Sequence, residues 1–141
     1  MMLALDTSVL VGALLKDEPH HQACCNLLTR KSLTVWTHAL AETFSSLTGG
    51  RKSWRAPPSL ASQLIDEVVR PRLRFTELSA DEVNAALLQA HAAGARGGAV
   101  YDYLHLVAAK KAGAKRFYTL NVRHLAAVAR HGDPEILLPE S

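Results

Sequence analysis

Short apolar runs alternate with helical patterns along the whole chain. Runs rich in apolar or β-forming residues predict five short strands, at 2–5, 33–36, 73–78, 116–120 and 135–138. Apolar positions at helical spacing predict a helix from Thr7 or Ser8, one from Pro19, one around Glu42 that ends at Gly49-Gly50, and four over 59–69, 79–93, 100–111 and 122–129. Strands that alternate with helices predict a central parallel sheet in a three-layer α/β/α sandwich, with residues 1–141 as one domain.

The composition fits such a domain and excludes several other classes. The chain has 141 residues, of which 48% are hydrophobic and 21% charged, which is typical of a folded protein and not of a disordered one. The net charge of +3 permits a polyanionic partner without establishing one. Cys24 and Cys25 are adjacent and are the only cysteines, so no disulfide framework is expected. The N-terminal apolar run lacks a basic start and contains Asp6, and no apolar stretch is long enough for a membrane helix, so we expect a cytoplasmic protein.

Three carboxylates lie in apolar surroundings, where a cation is needed to stabilise their charge. Asp6 interrupts the apolar run 1–15, Glu42 lies within a helical stretch, and Asp102 opens an apolar helix after Gly97-Gly98. Burying an unpaired charge costs several kcal/mol, and neither Asp6 nor Glu42 has a Lys or Arg beside it in the sequence. A divalent cation held by all three would resolve this cost. Hard oxygen ligands favour Mg²⁺, for which Mn²⁺ can substitute, and carboxylate-held Mg²⁺ commonly serves phosphodiester hydrolysis.

The predicted fold gives these side chains a common place. Asp6 follows the first strand and Asn121 follows the fourth, so the two face one crevice if those strands are neighbours. Asp102 lies in the first turn of its helix, where the dipole stabilises an anion.

The orientation of Glu42 follows from helical periodicity. Glu42 is about 200° around the helix from Leu40 and Phe44, which predicts that it points away from that apolar stripe. It shares a face with Ser45 and Gly49, small residues that leave room for a ligand.

Each residue also has an ordinary explanation. Asp6 or Asn121 could simply cap a helix, Glu42 could be a solvated helix residue, and Asp102 could be a surface acid that stabilises a helix dipole. Separately these patterns are weak, and their convergence at one sheet edge favours a site.

The constellation resembles the PIN-domain ribonucleases, and within them the VapC-type toxins of bacterial toxin–antitoxin pairs. The matching segments span 3 to about 125 and read LDTSVL at 5–10, AET at 41–43, GAVYDYLHLVAA at 98–109 and FYTLNVRHL at 117–125. The resemblance implies strand order 3-2-1-4-5, a Mg²⁺-dependent endoribonuclease, and metal ligands at Asp6, Glu42 and Asp102. Asn121 occupies a fourth position that is often acidic, and His124 stands where an Asp is common. Three carboxylates favour one firmly held Mg²⁺ over two.

Further side chains are candidates for supporting roles. Thr7 and Thr119 are expected to hydrogen-bond the metal ligands. His105 could orient Asp102, or it could be only a packed helix histidine. A basic and aromatic loop could contact RNA or an antitoxin, or be a solvated loop: Arg51, Lys52, Trp54 and Arg55.

The resemblance implies a mechanism and partners. Asp6 and Asp102 would hold Mg²⁺, Glu42 would position or deprotonate the attacking water, and Asn121 would hydrogen-bond coordinated water or substrate. The leading hypothesis is a toxin that cleaves tRNA, rRNA or mRNA and inhibits translation. It would form a homodimer and be silenced by a cognate VapB-like antitoxin in a heterotetramer or larger complex. The alternatives are a PIN nuclease of RNA processing without a toxin role, or a catalytically inactive PIN binding module. A Rossmann-like nucleotide binder is disfavoured, since the first strand is not followed by Gly-x-Gly-x-x-Gly.

Overall fold

A five-stranded parallel sheet forms the centre of the protein. The computed structural model describes residues 1–50 and 55–140. Its strands are β1 (Leu3–Leu5), β2 (Leu33–Trp36), β3 (Arg74–Thr76), β4 (Arg116–Tyr118) and β5 (Glu135–Leu137). They lie in the order β3-β2-β1-β4-β5, which confirms the predicted sheet and its strand order.

Helices follow the strands as the apolar pattern predicted. They are α1 (Thr7–Leu14), α2 (His21–Leu27), α3 (Ala39–Thr48), α4 (Pro58–Leu64), α5 (Ala80–Gln89), α6 (Ala99–Lys111) and α7 (Val122–Val128). The helix predicted over 59–69 is divided, since α4 passes into a π-helical turn at Ile65–Val69 and a 3₁₀ turn at Arg70–Arg72. Pro71 has no N–H to continue an α-helix, which explains why the segment ends there. A second 3₁₀ turn, Ala90–Ala93, continues α5.

Most strands are shorter than predicted. The β4–β5 pairing extends from Arg116 opposite Glu135 to Tyr118 opposite Leu137, so residues 119, 120 and 138 of the predicted strands lie outside the paired region. The second helix begins at His21, two residues later than Pro19, which therefore lies in the preceding loop. These differences leave the order of the elements unchanged.

Alternating side chains of the strands supply two core layers. Leu3 and Leu5 pack on one face of the sheet with apolar residues of α1 and α2. Ala4 and Phe117 pack on the opposite face with residues of α6 and α7. This period of two along parallel strands produces the three-layer sandwich. No helix in the described part of the chain is both long and apolar enough to cross a membrane.

The loops at the carboxyl ends of β1 and β4 bring the predicted site residues together. Asp6 directly follows β1 and is itself the N-cap of α1, with its side chain accepting from the Ser8 amide at 3.0 Å. The prediction that Thr7 or Ser8 caps this helix was therefore wrong, because both lie inside its first turn. Asn121 occupies the N-cap position of α7, but its side chain makes no capping hydrogen bond and is left for another use.

Candidate functional site

An open pocket at the carboxyl edge of the sheet contains all three predicted carboxylates. Its volume is about 500 Å³. The described residues that line it are Asp6, Thr7, Ser8, Val11, Gly12, Glu18, His20, Glu42, Ser46, Asp102, His105, Leu120 and Asn121. Residues separated by up to 115 positions in the sequence thus share one acidic cavity, as the predicted fold required.

Asp6 is the most firmly held of the three acids. Its side chain is 4% exposed, and its Oδ2 accepts a hydrogen bond from the Thr119 hydroxyl at 2.7 Å. Its Oδ1 accepts from the amide and the hydroxyl of Ser8, at 3.0 and 2.5 Å. Thr119 thus makes the kind of contact expected of it, and the carboxylate is fixed in orientation at the centre of the sheet edge.

Ser8 connects the two loops that form the pocket floor. Besides donating to Asp6, its Oγ accepts a hydrogen bond from the Leu120 amide at 2.9 Å. In parallel, the Thr119 Oγ1 accepts from the Asn121 amide at 2.9 Å. Sequence reasoning considered Ser8 only as a helix cap, because the loop that it reaches is 112 residues away.

Glu42 is oriented by two side chains that bond the same oxygen. Its Oε1 lies 2.7 Å from Nε2 of His105 and accepts from the Thr7 hydroxyl at 3.0 Å. Burial raises the pKa of Glu42, but the hydrogen bond and charge of His105, aided by Thr7, outweigh it and hold this pKa below its ordinary value. Thr7 therefore contacts a candidate ligand as predicted, and Glu42 stays ionised.

His105 differs from its predicted role. The hydrogen bond of His105 goes to Glu42 rather than to Asp102. The ring is also packed, at 3% exposure, edge-on against Trp36 and Phe117. Its Nδ1 has no hydrogen-bond partner among the described residues. One side chain thus serves both the core and the site.

The face of α3 toward the pocket also differs from the predicted one. Phe44 is 37% exposed, whereas the helix buries Ala39, Thr43 and Leu47. The predicted apolar stripe through Leu40 and Phe44 was therefore misplaced by about one position. Glu42 lies at the edge of the buried face, and its neighbour in the pocket is Ser46, four residues on, rather than Ser45 or Gly49.

Asp102 is the carboxylate whose negative charge is least compensated by its surroundings. It is half-buried in the first turn of α6, and none of the described residues donates a hydrogen bond to its side chain. Burial, followed by the negative charge of Asp6, raises the pKa of Asp102, and the nearby His105 and His124 only partly offset this. A cation between Asp6 and Asp102 would remove this electrostatic cost.

The donor set fits a hard divalent cation. Carboxylate oxygens with an adjacent amide suit Mg²⁺ or Mn²⁺, and the pocket is wide enough for an ion with water ligands. Within residues 1–50 and 55–140, no three acidic, His or Cys side chains are close enough to form a complete protein cage. Mg²⁺ usually keeps several waters and binds through one or two carboxylates, so this geometry suits Mg²⁺ rather than a closed structural site.

Two pocket residues with ionisable side chains were not identified from the sequence. Glu18 and His20, from the loop between α1 and α2, line the same cavity, so four carboxylates face it rather than three. The loop carries no periodic pattern that would have pointed to them.

The structure gives little support for a direct role of the basic and aromatic loop at the pocket. Arg51, Lys52 and Trp54 lie outside the described residues. Arg55 is exposed and donates to the Gly50 carbonyl oxygen at 2.5 Å, and it is not among the residues that line the pocket.

Comparisons with known proteins point to one family. The family model described as PIN domain matches residues 3–131. Ribonuclease VapC27 of Mycobacterium tuberculosis is 33% identical over 107 residues, which cover 76% of this chain and 76% of that protein.

Two solved structures share the fold at low sequence identity. VapC20 of Mycobacterium tuberculosis, a sarcin-ricin loop cleaving toxin, superposes with a TM-score of 0.68 at 19% identity, over 94% of this chain and 99% of that one. VapBC2 of Rickettsia felis, solved with a DNA fragment of its promoter, gives a TM-score of 0.68 at 17% identity, over 99% and 100% of the chains. At these identities the likeness shows the fold alone.

Proposed function

Because this chain belongs to the PIN-domain family, and within it to the VapC-type ribonucleases of toxin–antitoxin systems, we propose that it is a Mg²⁺-dependent endoribonuclease and the toxin of such a pair. The observation that carries the proposal is the acidic pocket. Asp6, Glu42 and Asp102 come from three separate elements and line one cavity, and two of them are locked in place by hydrogen bonds. A catalytically inactive binding module would have no need of this arrangement.

Asp6 and Asp102 are the residues that would hold the metal, with Glu42 as a further ligand. Bound Mg²⁺ would polarise a phosphate oxygen and stabilise the charge that develops during hydrolysis. Asp6 contributes a preoriented carboxylate, since Ser8 and Thr119 fix both of its oxygens. Asp102 contributes a carboxylate that has no competing donor among the described residues.

Glu42 and Asn121 act on the water and the substrate. Thr7 and His105 occupy Oε1 of Glu42, and the described residues leave its Oε2 available to accept a proton from the attacking water. The Asn121 side chain is not used as a helix cap, so it can hydrogen-bond a substrate oxygen. Hydrolysis would form a new P–O bond to the attacking water and break the P–O bond to the leaving ribose oxygen. Glu42 would accept the proton of the water, and the leaving oxygen would take a proton from solvent.

The biological role follows from the family. We propose that the substrate is a tRNA, rRNA or mRNA and that its cleavage inhibits translation. A cognate VapB-like antitoxin would silence the enzyme, and the toxin would form a homodimer within a heterotetramer or larger complex. VapBC2 of Rickettsia felis, whose structure contains a DNA fragment of its promoter, is such a pair. This likeness supports the proposal that the chain has an antitoxin partner.

Comparison of Asp6→Asn with Asp66→Asn tests the proposed activity. Asp66 is an exposed acid in a surface ion pair with Arg70, so its loss alters net charge equally without touching the pocket. RNA ends are sequenced after brief expression of each variant, and purified proteins are assayed with Mg²⁺, Mn²⁺ or EDTA. We expect cleavage by the wild type and Asp66→Asn that EDTA abolishes, and none by a folded Asp6→Asn. Cleavage at the wild-type rate by Asp6→Asn, or in EDTA, contradicts the proposal.

The toxin role needs a separate measurement. Expression of the wild type should arrest growth and lower amino-acid incorporation, and co-expression of a small DNA-binding protein encoded immediately upstream should restore both. RNA cleavage without growth arrest would instead favour a processing nuclease.

A further inference from the structure

Three aromatic rings form a continuous stack beside the acidic pocket. The rings of Trp36 and His38 are stacked, with centroids 4.6 Å apart and planes inclined by 30°. The rings of His38 and Tyr101 are nearly parallel, at 5.5 Å and 4°. This aromatic stack, defined by Trp36, His38 and Tyr101, joins the end of β2 to the first turn of α6.

The stack is anchored at one end and open at the other. Trp36 is 9% exposed and meets the buried His105 ring edge-on at 5.1 Å. His38 is exposed, and Tyr101 at the outer end is 47% exposed. Packing alone would favour burial of the outer ring, because an aromatic side chain has much apolar area to remove from water. The structure instead presents a fixed aromatic surface to solvent.

The stack lies close to the residues proposed to act on the phosphodiester. Tyr101 precedes Asp102, and His38 lies one helical turn before Glu42 and electrostatically lowers its pKa. His105 contacts both the inner end of the stack and Glu42. A nucleotide whose phosphate occupies the pocket therefore has an aromatic surface within reach of its base.

We propose that Tyr101, backed by His38 and Trp36, forms a subsite that stacks an unpaired nucleobase next to the scissile phosphate. The inference rests on the proposed ribonuclease function and deepens it. Stacking on an aromatic ring tolerates any base, since every base has a π-face, and it requires a base that is free of its own helix. The subsite thus selects single-stranded or looped RNA, and it contributes to substrate binding rather than to bond cleavage.

Binding without cleavage tests the subsite directly. The probes are a fluorescently labelled decamer of oligoadenylate and a decamer of the same ribose-phosphate backbone without bases, measured by fluorescence anisotropy in EDTA. The variants are Tyr101→Leu, which removes the π-face but keeps an apolar side chain, and Tyr101→Phe, which keeps the π-face. Phe44→Leu is the matched control, because Phe44 is an exposed aromatic residue on the same helix as His38 and belongs to no described ring contact.

We expect the wild type to bind oligoadenylate roughly 5- to 150-fold more tightly than the abasic decamer, which is the usual range for one stacked base. Tyr101→Leu should abolish this preference, whereas Tyr101→Phe and Phe44→Leu should keep it. Loss of the preference with unchanged affinity for the abasic probe distinguishes stacking from misfolding or lost charge. No base preference in the wild type, or an unchanged preference in Tyr101→Leu, would overturn the subsite.

Cleavage kinetics separate this inference from the function on which it rests. With Mg²⁺ and a single-stranded RNA, Tyr101→Leu should raise KM by the same factor and leave kcat within about twofold of the wild type. A fall in kcat with KM unchanged would overturn the assigned role. If the wild type shows the base preference but never cleaves RNA, the ribonuclease proposal fails and the stacking subsite stands.

Discussion

The buried hydroxyl of Thr119 offers a sharp test of how Asp6 is held. Thr119 is fully buried, and its Oγ1 both donates to Asp6 Oδ2 at 2.7 Å and accepts from the Asn121 amide at 2.9 Å. Thr43 is equally buried, yet its hydroxyl has no partner among the described residues. Thr119→Val and Thr43→Val are thus the same chemical change at the same burial, and they differ in the hydrogen bonds that are lost.

The two variants should differ by about 1.5–4 kcal/mol in the free energy of unfolding. A hydrogen bond to a charged group contributes about 1.5–3 kcal/mol, and Thr119→Val loses one to the Asp6 carboxylate. Water can replace the acceptor of the Asn121 amide, because Asn121 is exposed. Thr43→Val removes a buried hydroxyl without a partner, so its effect should range from about zero to about 1 kcal/mol of stabilisation.

Urea unfolding of both variants, without metal and with Mg²⁺, measures this difference. Thr119→Val should also need about 10- to 100-fold more Mg²⁺ for half-maximal cleavage, because a ligand that loses its orienting partner binds metal less well. Thr43→Val should keep the wild-type requirement. Equal stability of the two variants, together with equal Mg²⁺ dependence, would refute the proposal that Thr119 holds Asp6 for metal binding.

Three further changes test the electrostatics and packing of the pocket. Asp102→Asn should raise the thermal midpoint at pH 7 without metal, and the gain should vanish as the pH falls below the raised pKa of Asp102, where the wild-type acid is protonated as well. Because the pKa of Glu42 is lowered in the folded state, its ionised form stabilises the fold above pH 4.5, the ordinary pKa of Glu, and this stability is lost as the pH falls through the lowered pKa. His105→Leu should therefore make the measured loss of stability in that pH range smaller. Gly12→Ala should cost about 1–3 kcal/mol in urea unfolding, since the added Cβ would lie 2.8 Å from the Cys24 sulfur; an unchanged midpoint would contradict the packing.

Local pattern carried most of the fold. The alternation of apolar strands with amphipathic helices was enough to predict the three-layer sandwich, because this pattern recurs along the chain. The strand order was predicted from the resemblance to the family. Helix ends were less predictable. Asp6, Thr7 and Ser8 are all good capping residues, and only the backbone conformation of Asp6 decides which of them is the cap.

The sequence by itself determined which acids have no neighbouring cation and that parallel strands would bring Asp6 and Asn121 to one edge. Those conclusions need only chain order and the rule that parallel strands end at the same side of a sheet. Tertiary structure decided the rest: that His105 bonds Glu42, that Ser8 joins two loops, that Glu18 and His20 enter the pocket, and that His38 stacks on Tyr101. These contacts join residues on separate elements, and the way the helices pack and rotate on the sheet decides which side chains meet. Periodicity identifies the face of a helix but not the side chain that it meets there.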